Sequence, residues 1–338
     1  VLVVLRIWHA SRGKKPKPFP VTPPRTVVVG DGAITTYTYG RDLYAEYAKA
    51  GYAVIKKRTG LSGKLGQKVL GVFSSSHLPM SVDRADSPKL AAEVPTLAEM
   101  AGKAIGILDK GPKGFLLQIE GGRVDHGNHE NDLAGAIYDQ IAFEEAVKVA
   151  VDFARSKGDT LVVITADHAT GGPSLNGAGQ EYFDSTAGIK LVAGMRASFE
   201  ALRGLLKAGI GPRRAGEIIE DRLGVKLTAG EASLLSDAIE RKWPAGLSVF
   251  EGSLGSVLGI LVGNHTKVQW TSQNHTSDHV PLTALGPGAS RFRGLIENVR
   301  MFDIMLGLKR LSWSNPSMSF SEAARHYQKL RLGTLSGG

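Results

Sequence analysis

Three stretches of the chain collect carboxylates and imidazoles at short spacing. The first is Glu120-Gly-Gly-Arg-Val-Asp125-His-Gly-Asn-His129, the second is Thr165-Ala-Asp167-His168, and the third centres on His275 in Asn-His-Thr-Ser-Asp-His-Val-Pro-Leu. Such oxygen and nitrogen donors bind divalent cations. Mixed histidine and carboxylate sets suit zinc, whereas a carboxylate without imidazole neighbours, such as Glu120, suits magnesium. Asp125 and His129 are four residues apart, so a helix there carries both on one face. Any one of these clusters also reads as surface solvation or a helix cap; three of them past apolar strands of one sheet read as a metal site. The chain contains no cysteine, which excludes disulfides and thiolate ligands.

The elements that must position these groups follow from hydrophobic spacing. Residues 114–119 (GFLLQI) form a continuous apolar run suited to a strand buried on both faces. A long helix is predicted over 132–156, where Leu133, Ile137, Ile141, Val147 and Val151 fall at helical spacing and Gly158 supplies a stop. The strand 160–165 (TLVVIT) comes next. A strand, crossover helix and strand in this order should be right-handed and parallel, with both strand ends on the edge where open α/β sheets place their chemistry.

Elsewhere strands are predicted at 26–29, 52–55, 69–73 and 280–285. Helices are predicted at 41–50, 96–108, 194–208, 211–223, 228–241, 293–311 and 321–330. The expectation is an α/β fold with a largely parallel central sheet flanked by helices and an inserted helical subdomain. Its parts are an irregular basic, proline-rich arm (1–25), an α/β core (26–172), the helical insertion (173–264), and completion of the core with C-terminal helices (265–338).

Composition narrows the function classes. The 338 residues are 42% hydrophobic and 22% charged, ordinary for a globular chain with a substantial core. No apolar run approaches the ~20 residues that cross a bilayer, and residues 1–5 are too short for a signal-peptide core. The net charge of +9 would steer phosphorylated ligands towards the surface. It is dispersed and lacks an aromatic-interleaved basic motif, so specific nucleic-acid binding and membrane anchoring are not expected.

GFLLQIEGGRVDHGNHE, TLVVITADHATGG and NHTSDHVPLTALGPG resemble three consecutive signature segments of the alkaline phosphatase family, in the family's order. From about Val27 onward, including DSTAGIKLVAGMRASFEAL and NPSMSFSEA, the chain is similar to the version found in thermophilic bacteria. The resemblance implies one zinc held by Asp125, His129 and His275, a second zinc held by Asp167 and His168, and a magnesium held by Glu120. It implies hydrolysis of phosphate monoesters by double displacement through a phosphoserine, with phosphomonoesters and inorganic phosphate as ligands. Export to the periplasm or the medium is implied too, and homodimers are common in the family. A metal-binding fragment without activity is the alternative, as is a phosphodiesterase, sulfatase or phosphoglycerate mutase of the wider superfamily.

The chain also departs from the pattern. In the family the nucleophilic serine, the phosphate-clamping arginine, a bridging aspartate and a magnesium-ligand threonine lie upstream of the strand that begins here at Thr26. Arg6-Ile-Trp-His9-Ala-Ser11 is only faintly similar to the family's Arg-Ile-Thr-His-Ala-Thr, which would put Ser11 at the threonine. The nucleophile therefore stays unassigned, and a truncated reading frame lacking that segment is expected. Asp184-Ser185 is read as a helix cap rather than a relocated nucleophile, and His126 as a neighbour of the site rather than a ligand. His77, His265, His279 and His326 are read as surface histidines, while Arg123 and Asp278 carry no assignment.

Overall fold

A computed structural model of the chain describes residues 2–6, 42–112, 114–177, 184–242, 253–311, 319, 321–322 and 324–325. The chain divides into two units, 1–292 and 293–338. The first begins with β1 (Leu2–Arg6), α1 (Leu43–Lys49), β2 (Ala53–Ile55), β3 (Val69–Gly71), α2 (Ser81–Asp86), α3 (Pro88–Glu93) and α4 (Leu97–Leu108). Then come β4 (Leu116–Ile119), α5 (Arg123–His129), α6 (Leu133–Lys157), β5 (Thr160–Ile164), β6 (Ala169–Thr170) and β7 (Ser174–Leu175). Helices α7 (Thr186–Ala193), α8 (Phe199–Leu205), α9 (Pro212–Leu223), α10 (Ala229–Ile239) and α11 (Leu254–Thr266) precede β8 (Val268–Gln269), β9 (His275–Thr276) and β10 (Thr283–Leu285). The second unit contains α12 (Arg300–Leu308), around which Leu295, Val299, Phe302 and Leu311 are exposed.

The principal sheet has the order β10-β5-β1-β4. Its three ladders are all antiparallel, which corrects the expectation of a largely parallel sheet; a parallel ladder occurs between β2 and β3. One of the three joins β10 to β5; the other two are made by β1, a strand where an irregular arm was expected over 1–25. Its Leu-Val-Val-Leu core is a β-branched apolar run that fits between two strands. Because β1 runs against both neighbours, β4 and β5 point the same way, as the strand–helix–strand unit requires. Leu2 lies opposite both Ile119 and Ile164, so β4 and β5 end level with each other on one edge. The strand expected at 26–29, Ser11, His326 and most of the helix expected at 321–330 lie outside the described residues.

Helix α6 joins two cores. Its Phe143, Ala146, Ala150 and Ala154 pack with Ala101 and Ile105 of α4, and with Ile119 and Val162 of the sheet. The alanines recur every four residues, a face small enough for the helix to lie close to its neighbours. Leu133 and Ala134, in its first turn, belong instead to the core of α8–α11, with Phe199, Leu202, Ile219, Leu223, Leu235, Leu258 and Leu261. Each such fully buried side chain contributes roughly 1.5–3 kcal/mol.

Carboxylates tie these layers together. Asp132 caps α6, accepting from Gly135 N (2.9 Å), and its second oxygen accepts from Phe199 N (2.7 Å) at the start of α8. Asp83 of α2 accepts from the backbone N–H and the hydroxyl of Ser198 at 2.8 and 2.6 Å, and Asp139 of α6 does the same for Ser81 at 2.9 and 2.8 Å. Asp132 is fully buried, and burial pushes its carboxyl from 3.8 up to about 7; the two N–H bonds oppose that shift, while Asp83 and Glu130 add to it. The folded state thus holds this proton more tightly than the unfolded chain. The associated stability is complete below about pH 4 and declines as pH rises to about 7, by at most roughly 1.4 kcal/mol per unit. Thermal melting of the Asp132→Asn variant should show this: the wild-type advantage shrinks from pH 4 to 7 and is flat above.

Candidate metal centre

The level ends of β4 and β5 fix where the ligands begin. Past Ile119 the chain turns at Gly121-Gly122 into α5, and past Ile164 it reaches Asp167 and His168 within a few residues. Helix α5 carries Asp125 and His129 on one face, with His129 Nε2 3.4 Å from Asp125 Oδ1. On another face Gly127 is buried against α6, where a Cβ would lie 2.6 Å from the Ala136 nitrogen.

His275 arrives from the far end of the unit through an antiparallel pair in which Thr170 of β6 is opposite His275 of β9. The loop before β9 is bound to the end of α5. Asn131, in the left-handed region at φ 53°, donates from Nδ2 to Ser272 O (2.8 Å), and His129 Nδ1 lies 2.5 Å from Gln273 O. A carbonyl only accepts, so the proton of the His129 ring sits on Nδ1 and Nε2 is bare. That bare nitrogen is 3.2 Å from His275 Nε2.

Asp125, His129 and His275 thus present one donor atom each, all within 4.8 Å of one another. The separations of 3.2 and 3.4 Å match the edge, about 3.3 Å, of a tetrahedron with bonds of about 2.0–2.1 Å. A carboxylate and a bare imidazole nitrogen aimed at one point are a donor set that fits a zinc ion. The second pair adjoins it. His168 Nε2 is 3.4 Å from Asp167 Oδ2, and the His168 ring stacks on His275 with centroids 3.5 Å apart.

Glu120 does not join this cluster. It is exposed at the end of β4, on the rim of a 240 Å³ cavity that Arg84, Arg123, Asp139 and Glu145 also line. His126 turns away from the triad: Arg123 contacts its Nδ1 at 3.0 Å and His77 packs on its ring. Burial, then the Arg123 charge, hold its pKa below the usual imidazole range. Arg123 also pairs with Glu200. His265 bonds Glu231, while His279 and Asp278 are exposed. The Asp184 carboxylate accepts from Thr186 N (2.9 Å) at the start of α7, where Ser185 is the N-cap residue and makes no side-chain cap bond of its own.

Sequence reasoning missed Gly127, Asn131, Thr170 and Gln273, which support the ligands. The signal for Thr170 was the Gly171-Gly172 pair beside it. Both glycines have positive φ (74° and 56°), and a Cβ at Gly172 would lie 2.0 Å from Thr271 Oγ1.

The family model for alkaline phosphatase matches residues 13–311. This chain belongs to the alkaline phosphatase family. It is 31% identical over 275 residues to alkaline phosphatase 3 of Bacillus subtilis strain 168, covering 81% of this chain and 56% of that protein. The crystal structure of Thermus thermophilus alkaline phosphatase is similar with a TM-score of 0.77 and 32% identity, over 86% of this chain and 63% of that one. The cold-active alkaline phosphatase of a psychrophilic Shewanella gives a TM-score of 0.65 at 28% identity, over 79% and 62%. The α/β fold is therefore the alkaline phosphatase fold, and the chain spans less than two thirds of each of these relatives.

In this alkaline phosphatase fold the α5–α6 approach depends on Gly127. Gly127→Ala should destabilise the protein by about 1–3 kcal/mol in denaturant unfolding, since a close-packed contact must open. Gly106→Ala in α4, where a Cβ meets nothing within 4 Å, should leave stability unchanged or raise it by about 0.4–1 kcal/mol.

Proposed function

We propose that this chain carries the two-zinc, one-magnesium site of an alkaline phosphatase and hydrolyses phosphate monoesters. The observation that carries the reading is the convergence of Asp125, His129 and His275 donors within 4.8 Å, in a chain of this family. Asp125, His129 and His275 would hold one zinc and Asp167 with His168 the second; Glu120, a carboxylate apart from the imidazoles, would hold magnesium. When bound, paired zinc ions lower the pKa of an attacking hydroxyl and stabilise the leaving oxygen. The chain's own residues orient the donors. The Gln273 carbonyl sets the His129 tautomer, Asn131 fixes the loop that carries His275, and the net charge of +9 draws anionic esters inward.

Phosphomonoesters and inorganic phosphate are the proposed ligands, with an exported location, a homodimer and a thermophilic source as further proposals from the family resemblance. No described helix is long and apolar enough to cross a membrane. The division into a core with a helical insertion at 173–264 is likewise a proposal, supported by the separate core of α8–α11.

The test is hydrolysis of a chromogenic phosphomonoester at alkaline pH by the full chain, with zinc and magnesium, after chelation, and after zinc is restored. Turnover should vanish with chelation and return with metal. His275→Ala should weaken zinc binding by more than the roughly 100-fold that loss of an outer partner costs. Stoichiometric zinc without turnover would replace the hydrolase reading by that of an inactive metal-binding chain.

A further inference from the structure

We infer that Thr170 is a positioning residue of the metal centre, its hydroxyl joining one donor from each half of the cluster; this rests on the proposed metal reading. Thr170 is buried, and its Oγ1 lies 2.6 Å from Asp125 Oδ1 and 3.1 Å from His168 Nδ1. The carboxylate only accepts, so the single hydroxyl hydrogen goes to Asp125. The His168 contact then runs the other way, with the ring Nδ1–H donating to the threonine oxygen. One hydroxyl therefore fixes the His168 tautomer, leaving Nε2 bare beside Asp167, and holds the oxygen of Asp125 that faces His129.

The backbone leaves Thr170 no latitude. Its pairing opposite His275 sets its register. The two left-handed glycines that follow pack against α5 and the 270–274 loop: a Cβ on Gly171 would meet Asn128 O at 2.7 Å and the Trp270 ring at 3.0 Å, and Gly171 N donates to Asn274 O at 2.9 Å. Ligands from α5 and from the end of β5 are thus referred to one side chain, while the backbone of the same residue pairs with β9, which carries His275. This is the outer-partner arrangement that orients histidine and carboxylate ligands in metal sites.

The experiment titrates zinc, and cobalt as an absorbing substitute, into the full-length wild type, Thr170→Val and Thr170→Ser. Valine keeps the shape and removes the oxygen; serine keeps the oxygen. The expected result is a loss of zinc affinity of about 10- to 100-fold in Thr170→Val, altered cobalt absorption bands, and recovery of both in Thr170→Ser. A role in packing alone would lower the melting temperature of Thr170→Val without moving affinity or bands, and that outcome overturns the inference. A wild type that binds neither ion overturns the metal reading as well, and the wild-type titration tells the two failures apart.

Discussion

A buried carboxylate needs every hydrogen bond it can find, and Asp132 finds them in two different layers of the molecule. Its oxygens accept from the first turn of α6 and from the start of α8, while its own N–H donates to Gly127 O of α5 (2.8 Å). A polar group in a low-dielectric interior is tolerated only when hydrogen-bonded in this way. The geometry of the α5–α6 turn is therefore fixed by electrostatics as much as by packing. Asp83 and Asp139 extend the same logic through Ser198 and Ser81, so that α2, α6 and α8 are located by acids accepting from serine and backbone donors. The helix that offers Asp125 and His129 starts from that frame.

The ligand cluster then inherits its accuracy from the backbone. Gly127 permits α5 to lie against α6, Asn131 and His129 hold the carbonyls of 272 and 273, and the Gly171-Gly172 turn delivers β6 to β9. Three segments distant in sequence meet because each is anchored to the end of α5. Rigid supports of this kind place donor atoms more accurately than free loops do.

Much of this was legible in the sequence, and what was not has a common physical reason. Helix α6, β4 and β5 are long apolar patterns, and their order alone sets their common direction. The four-residue spacing of Asp125 and His129 put both on one helix face, as found. By contrast, β6 and β9 are two residues each, too short for alternation to register, and their pairing is decided by glycines and loop carbonyls. β1 falls in the stretch 1–25 expected to be an irregular arm, yet it pairs on both sides and runs antiparallel to β4 and β5. Glu120, expected apart from the imidazoles as a magnesium ligand, lies at the end of β4 outside the Asp125, His129 and His275 group.

Helix α11 carries glycine at 255, 259 and 263, one face on which added Cβ atoms would meet Glu130 O at 2.8 Å, Asn131 O at 3.0 Å and Val268 O at 2.4 Å. Each glycine weakens an isolated helix by about 1 kcal/mol relative to alanine. The segment is therefore helical because of the surface beneath it, and under Gly255 and Gly259 that surface is the turn directly after His129. Local opening of the turn removes the template for α11, so the two belong to one cooperative unit of fluctuation. Amide exchange deep in α11 becomes a clock for how often the ligand-bearing turn comes loose, read at residues that touch neither donor nor substrate.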